Sequence, residues 1–131
     1  MIFPATAPSL EPNTDTFETT PRVKPTGFRE YDARWWFGHP GSDVPPDLNL
    51  MGVQALGAGL GTLIHEQGVK PEIVVGHDFR GYSASIKMAL INGLMAAGVK
   101  VHDIGLALSP MAYFAQFALH VPCVAMLTAS P

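Results

Sequence analysis

Apolar residues recur along this chain either with the spacing of a helical face or in the short runs typical of strands. The two patterns take turns, which predicts alternating helices and strands. From about Leu48 to Gln67 they fall on one helical face, which predicts a helix that ends at Gly68. Residues 72–76 form a short β-branched run ending in glycine, typical of a buried strand. The helical period returns from Ser83, which we expect to be the N-cap, to the stop at Gly98.

The same alternation continues to the end of the sequence. Residues 99–105 alternate as a strand does, and a last strand is predicted at residues 123–128. Between them, Ser109 and Pro110 are typical of an N-cap and a first helical residue, and the helix should run to about His120. We expect this helix to bury Met111, Phe114, Ala115 and Ala118.

An aromatic-rich segment, residues 28–37, precedes these elements and predicts a further strand at the beginning of the fold. The resulting order β-α-β-α-β-α-β implies right-handed crossovers and a mostly parallel, mixed sheet with helices on both faces. The predicted fold class is therefore α/β, a three-layer αβα sandwich.

Residues 1–25 differ in composition from the rest. They contain five prolines among threonines and few large apolar groups, so they bury too little surface to offset the entropy of ordering. We predict a disordered or extended arm at residues 1–25 and one folded domain at residues 26–131.

Composition excludes some classes of function. At 131 residues, with 47% hydrophobic and 15% charged residues, the chain can bury a real core, and its net charge of −3 gives no basic surface for nucleic acid. The sequence has no apolar run of membrane-spanning length, and its single cysteine, Cys123, lies in an apolar run typical of a buried thiol. We expect a soluble cytoplasmic protein with neither nucleic acid nor membrane as a partner.

Candidate chemistry lies where predicted strands end. Ser130 follows the last strand, at the edge of an α/β sheet where ligands gather, although Ala-Ser-Pro is also an ordinary turn and no neighbouring base is identifiable. Asp78 and Arg80 follow an earlier strand, where an ion pair is favoured over phosphate recognition. The scattered histidines give no zinc-ligand spacing.

Five motifs, in order and at matching intervals, resemble those of the α-D-phosphohexomutases, the phosphomannomutase/phosphoglucomutase family. Residues 28–34, FREYDAR, resemble the family's F-R-x-Y-D-I-R-G signature, and residues 75–83 resemble its V-G-R-D-x-R-x-S loop. Residues 93–105 and 109–115 match two further stretches, and residues 126–130, MLTAS, fall where the family has its T-A-S-H-N-P active-site loop. The resemblance implies that residues 26–131 are domain I of a multi-domain enzyme, ending within the phosphoserine loop.

The resemblance also implies an activity, an intramolecular phosphotransferase that interconverts hexose 1-phosphate and hexose 6-phosphate, of mannose or glucose. Ser130 would carry the transferred phosphoryl group through a bisphosphorylated sugar, and its phosphate would bind Mg²⁺. Arg34 would be a second catalytic residue, and Tyr31, Arg34 and Thr128 would bind substrate or phosphate. The metal-binding and sugar-binding loops would come from the remaining domains of the same polypeptide, so we expect this chain alone to be inactive.

The sequence departs from the family pattern at several positions. Trp35 replaces a glycine, His77 an arginine, and Pro131 the histidine that usually follows the serine. These departures leave an alternative open, a non-catalytic αβα module that binds a ligand or a partner. A hydrolase that uses Ser130 is favoured less, because neither an elbow motif nor a triad partner can be named.

Overall fold

The computed structural model describes residues 14–39 and 41–129, which fold around a parallel sheet. Its strands are β1 (Glu72–His77), β2 (Lys100–Leu106) and β3 (Cys123–Leu127), in the order β2-β1-β3 with both pairs parallel. The helices are α1 (Asp15–Thr19), α2 (Leu50–Glu66), α3 (Ser83–Ala96) and α4 (Ser109–Ala118), with a 3₁₀ turn at Pro25–Gly27.

The helices cover both faces of the sheet. Ile73 and Val75 of the central strand pack into one core with residues of α2 and α3, while α4 packs against β1 and β3. The connections through α3 and α4 run towards opposite edges of the sheet, so right-handed crossovers place them on opposite faces. The predicted α/β fold class with three αβα layers is confirmed.

Two glycines allow α2 and α3 to approach closely. A Cβ atom at Gly93 would lie 1.9 Å from the carbonyl oxygen of Gln54, and one at Gly57 would lie 2.2 Å from that of Leu90. Any larger side chain would force the helices apart. Gly57 of α2 and Gly93 of α3 therefore serve close packing of the two helices.

The described part of the predicted arm, residues 14–25, is folded onto the domain. Phe17 of α1 and Val23 are buried, and Val23 forms an antiparallel bridge with Leu48. Asn49, the N-cap of α2, donates to the carbonyl oxygen of Thr20 at 2.7 Å. The expectation of a disordered arm is corrected here, because this one buried amide ties the segment to the helix; residues 1–13 lie outside the described residues.

The predicted strand at residues 28–37 is not formed. That segment contains only an isolated bridge between Phe28 and Ala33. Side chains fix it instead: the indole N–H of Trp35 donates to the carbonyl oxygen of Lys24 at 2.7 Å, and that of Trp36 to the carbonyl oxygen of Val44 at 3.2 Å. Aromatic content indicated a strand, but these hydrogen bonds hold an irregular segment.

The expected buried face of α4 is also wrong. Ala112 is fully buried, whereas Met111 and Phe114 are 53% and 72% exposed. Ala112 is the one fully buried residue of α4, which packs against β1 and β3, and the large side chains of the helix are exposed. Its N-cap is Leu108, and that of α3 is Tyr82, so neither Ser109 nor Ser83 has the capping role that the sequence predicted.

None of the helices among the described residues is both long and apolar enough to cross a membrane. Cys123 is half-buried in β3, and burial raises the pKa of its thiol. A thiol with a raised pKa is a poor nucleophile.

Candidate functional site

The three strands end at one edge of the sheet, and the candidate site lies there. In register, His77 at the end of β1 pairs with Leu106 of β2 and Leu127 of β3. The loop at residues 78–82 and the segment at residues 128–129 both leave from this edge. Parallel sheets place ligands at this edge.

Asp78 connects the two segments. Its backbone N–H donates to the carbonyl oxygen of Leu127 at 2.9 Å, and its Oδ2 accepts from the backbone N–H of Ala129 at 3.1 Å. The Ser83 hydroxyl donates to Oδ1, as does the backbone N–H of Arg80. A single buried carboxylate thus joins β1, the first turn of α3 and the exit from β3.

These donors keep Asp78 ionised. Burial alone would raise the pKa of this carboxyl, but hydrogen bonds from Ser83, Ala129 and Arg80 outweigh burial and lower it from 3.8 to about 2. The carboxylate therefore accepts hydrogen bonds at neutral pH and has no proton to donate.

Arg80 completes the cluster. Its guanidinium forms the ion pair with Asp78 that the sequence predicted, through Nη1, and stands 5.1 Å from the centre of the exposed Phe79 ring. Within residues 14–39 and 41–129, its remaining guanidinium N–H groups have no hydrogen-bond partner. They are available to an anion at this edge.

A second ion pair lies between α3 and β2. Lys87, which is buried, donates to both carboxylate oxygens of Asp103 at 2.8 Å. Burial opposes ionisation of Asp103, but Lys87 and the Gly105 N–H together lower its pKa, with a smaller contribution from His77. Among the described residues, the buried Nδ1 of His77 has no hydrogen-bond partner.

Ser130, the predicted phosphorylated residue, lies outside the described residues, as does Pro131. The structure does describe the two residues before it. Thr128 is exposed, and Ala129 is half-buried and held by Asp78. Ser130 is therefore joined directly to a backbone position that the cluster around Asp78 fixes.

Tyr31 and Arg34 lie on the surface of the irregular segment. Tyr31 is 91% exposed, and Arg34 forms an exposed ion pair with Asp32 at 2.7 Å. Among the described residues, no hydrogen bond or ion pair links either side chain to residues 127–129. The segment itself approaches the site, because the rings of Phe37 and Tyr82 lie 6.0 Å apart.

The described residues form no metal centre of their own, because they contain no group of three His, Cys, Asp or Glu side chains able to hold an ion. Asp78 is the carboxylate that directly follows β1 at this edge, and it already accepts four hydrogen bonds. The described residues by themselves do not fit a Mg²⁺ site.

Sequence reasoning found Asp78 and Arg80 but did not find their link to Ala129. The ion pair spans two positions and is visible in the sequence, whereas the hydrogen bond to Ala129 spans 51 positions. The one available signal was that both segments follow predicted strands, whose carboxyl ends meet at one edge.

Comparison with known proteins gives a consistent result. Residues 26–131 match the family model described as phosphoglucomutase/phosphomannomutase, alpha/beta/alpha domain I. The chain is 40% identical to a phosphomannomutase of Escherichia coli over 106 residues, which cover 80% of this chain and 21% of the relative.

Two further relatives agree. A phosphomannomutase of Vibrio cholerae serotype O1 is 37% identical over 106 residues, covering 80% of this chain and 21% of the relative. A phosphoglucosamine mutase of Francisella philomiragia is 35% identical over 78 residues, covering 60% of this chain and 18% of the relative. The chain thus spans about a fifth of the length of these curated relatives.

Proposed function

This chain belongs to the phosphoglucomutase/phosphomannomutase family, in which it represents the α/β/α domain I, and on that premise we propose that it is the phosphoserine-bearing domain of a phosphohexomutase. The complete enzyme would interconvert hexose 1-phosphate and hexose 6-phosphate, of mannose or glucose. Ser130 would carry the phosphoryl group between the two positions.

The main structural support is the hydrogen bond between Asp78 and Ala129. It fixes the backbone one residue before Ser130, at the sheet edge where α/β proteins bind phosphates. A phosphoryl donor must stand in line with the attacking oxygen, so a fixed backbone at this position suits the proposed role.

The proposed reaction has two transfers. First, a sugar hydroxyl oxygen attacks the phosphorus of phosphorylated Ser130; the new P–O bond forms as the bond to the serine Oγ breaks, and the hydroxyl proton passes to a base. The bisphosphorylated sugar then reorients, and Ser130 Oγ attacks the phosphorus of its other phosphate; the new P–O bond forms as the bond from that phosphorus to the sugar oxygen breaks, and the released oxygen takes a proton from the acid form of the base. The serine is phosphorylated again, and the isomeric monophosphate leaves. Family resemblance suggests a lysine base from a part of the enzyme beyond these residues.

Cationic and hydroxyl groups would surround the transferred phosphate. The free N–H groups of Arg80 lie on the loop joined to Ala129 through Asp78. Arg34, with Tyr31 and Thr128, would contact phosphate or substrate, and Arg34 would first have to exchange its partner Asp32 for the anion. That exchange is inexpensive, because an exposed ion pair contributes about 1 kcal/mol or less.

Mg²⁺ belongs to the proposal through the phosphate of Ser130, with its other ligands coming from the remaining domains. These domains and the hexose phosphate are the proposed partners, and the cytoplasm is the proposed location. We therefore expect the 131-residue chain alone to be inactive.

The experiment measures turnover in the complete polypeptide that contains this domain, with glucose, mannose and glucosamine 1-phosphates as substrates. Wild-type turnover of at least one substrate, lost in Ser130→Ala, would support the proposal. The 131-residue chain should show no turnover when circular dichroism confirms that it is folded. A complete wild-type polypeptide that binds a hexose phosphate without converting it would favour the non-catalytic αβα module instead.

A further inference from the structure

Asp78 forms hydrogen bonds to the backbone on both sides of Thr128, the first residue after β3. Its N–H donates to the carbonyl oxygen of Leu127 and its Oδ2 accepts from the N–H of Ala129, so Thr128 lies between two fixed points. The Thr128 side chain is exposed. Asp78 therefore holds the backbone of the last described residues before Ser130.

The carboxylate is itself fixed. It is 9% exposed, begins the loop after the central strand, and has two donors at each oxygen: Arg80 N–H and the Ser83 hydroxyl at Oδ1, and Arg80 Nη1 and Ala129 N–H at Oδ2. A side chain with every acceptor position engaged has little freedom to change rotamer. Its hold on Ala129 is correspondingly rigid.

We propose that Asp78 is a positioning residue for Ser130, which acts by holding the backbone amide of Ala129, the residue next to the serine in the chain. The inference rests on the proposed function and adds a residue to it. Because four donors already surround the carboxylate, it has no free site from which to take the serine proton. Its role is geometric, and a displacement of about 1 Å at the reacting atoms can slow a reaction about 100-fold.

Two substitutions remove the hydrogen bonds of Asp78 to different extents. Asp78→Ala removes both acceptors. Asp78→Asn keeps the size, but its one carboxamide oxygen can serve only one of the two donor pairs. The matched control is Glu72→Ala at the opposite end of β1. Glu72 is a buried carboxylate in ion pairs with Lys70 and Lys100 and within hydrogen-bond distance of His102, and it has no hydrogen bond or ion pair to residues 127–129.

The test combines two measurements, both made at a temperature where circular dichroism shows each variant folded. In the complete polypeptide, we would measure the rate at which glucose 1,6-bisphosphate phosphorylates Ser130, together with kcat and KM. In the 131-residue chain, we would measure hydrogen exchange at the Ala129 amide.

We expect Asp78→Ala to lower the phosphorylation rate and kcat about 10- to 100-fold with KM within twofold, and to remove the protection of the Ala129 amide. Asp78→Asn should lie between Asp78→Ala and wild type, and Glu72→Ala should match wild type in both measurements. Wild-type rates in Asp78→Ala would overturn the inference, as would an equal loss in Glu72→Ala.

Failure of the proposed function can be distinguished from failure of the inference about Asp78. A wild-type Ser130 that is never phosphorylated would contradict that function. The exchange measurement would then decide the anchoring role alone: loss of Ala129 protection in Asp78→Ala would uphold it, and unchanged protection would overturn it.

Discussion

The backbone N–H of Ala129 lies 3.1 Å from Oδ2 of Asp78, which stands 51 positions earlier in the chain. This contact joins the exit of β3 to the loop after β1, and it fixes the residue that precedes Ser130. It also links the stability of the domain to the geometry of its proposed site.

The low pKa of Asp78 predicts how stability depends on pH. Its pKa is about 2 in the folded chain and 3.8 in the unfolded chain, so ionised Asp78 stabilises the fold fully above pH 3.8 and loses this effect as the pH falls through 2. The difference corresponds to about 2 kcal/mol.

Asp78→Asn should therefore lower the free energy of unfolding by about 2 kcal/mol at pH 7. Urea unfolding followed by circular dichroism should show this gap closing between pH 4 and pH 2. Glu72 and Asp103 also have lowered pKa values, so only the difference between variant and wild type reports on Asp78. A gap that stays constant over this range would contradict the assignment.

Helix packing gives a second prediction. Gly93→Ala should destabilise the chain by about 1–3 kcal/mol or more, because the new Cβ would overlap the backbone of α2. Thermal unfolding measures the effect.

The matched control is Gly81→Ala. A Cβ atom there would meet nothing within 4 Å among the described residues, and its φ lies outside the left-handed region. We expect this variant to be neutral or more stable by about 0.4–1 kcal/mol. A Gly93→Ala variant that is as stable as Gly81→Ala would show that α2 and α3 do not pack as closely as described.

Arg34 gives a third prediction, in the complete polypeptide. Arg34→Gln should lower kcat/KM for hexose 1-phosphate about 10- to 100-fold, because it removes charged hydrogen bonds to phosphate. Arg34→Lys should fall between this variant and wild type, since it keeps the charge but loses the bidentate geometry.

The stability of both Arg34 variants should remain within about 0.5 kcal/mol of wild type, because the ion pair with Asp32 is exposed. A wild-type value of kcat/KM in Arg34→Gln would contradict the proposal that Arg34 contacts phosphate or substrate.

The sequence was most informative where a local period decides the structure. The Leu48–Gln67 pattern predicted α2 closely, and the β-branched run at residues 72–76 predicted β1, because burial of one helical face or of a whole strand imposes its own spacing. The family motifs add the prediction that Ser130, after β3, is the phosphorylated residue.

The features that the sequence did not predict depend on contacts between segments that are distant in the chain. The hydrogen bonds of Trp35 and Trp36 hold residues 28–37 in an irregular segment, and α4 buries Ala112 while Met111 and Phe114 stay exposed. The hydrogen bond between Asp78 and Ala129 could not be predicted without the fold, because Ala129 comes near Asp78 only when β1 and β3 pair.

The central claim, that Ser130 is the phosphoryl carrier, is tested most directly by the mass of the complete polypeptide before and after incubation with glucose 1-phosphate, with peptide mapping of the modified residue. We predict a phosphoryl group on Ser130, an increment of about 80 daltons, that the sugar phosphate removes. A Ser130 that is unmodified as purified, and that glucose 1,6-bisphosphate also fails to phosphorylate, would contradict the proposed function.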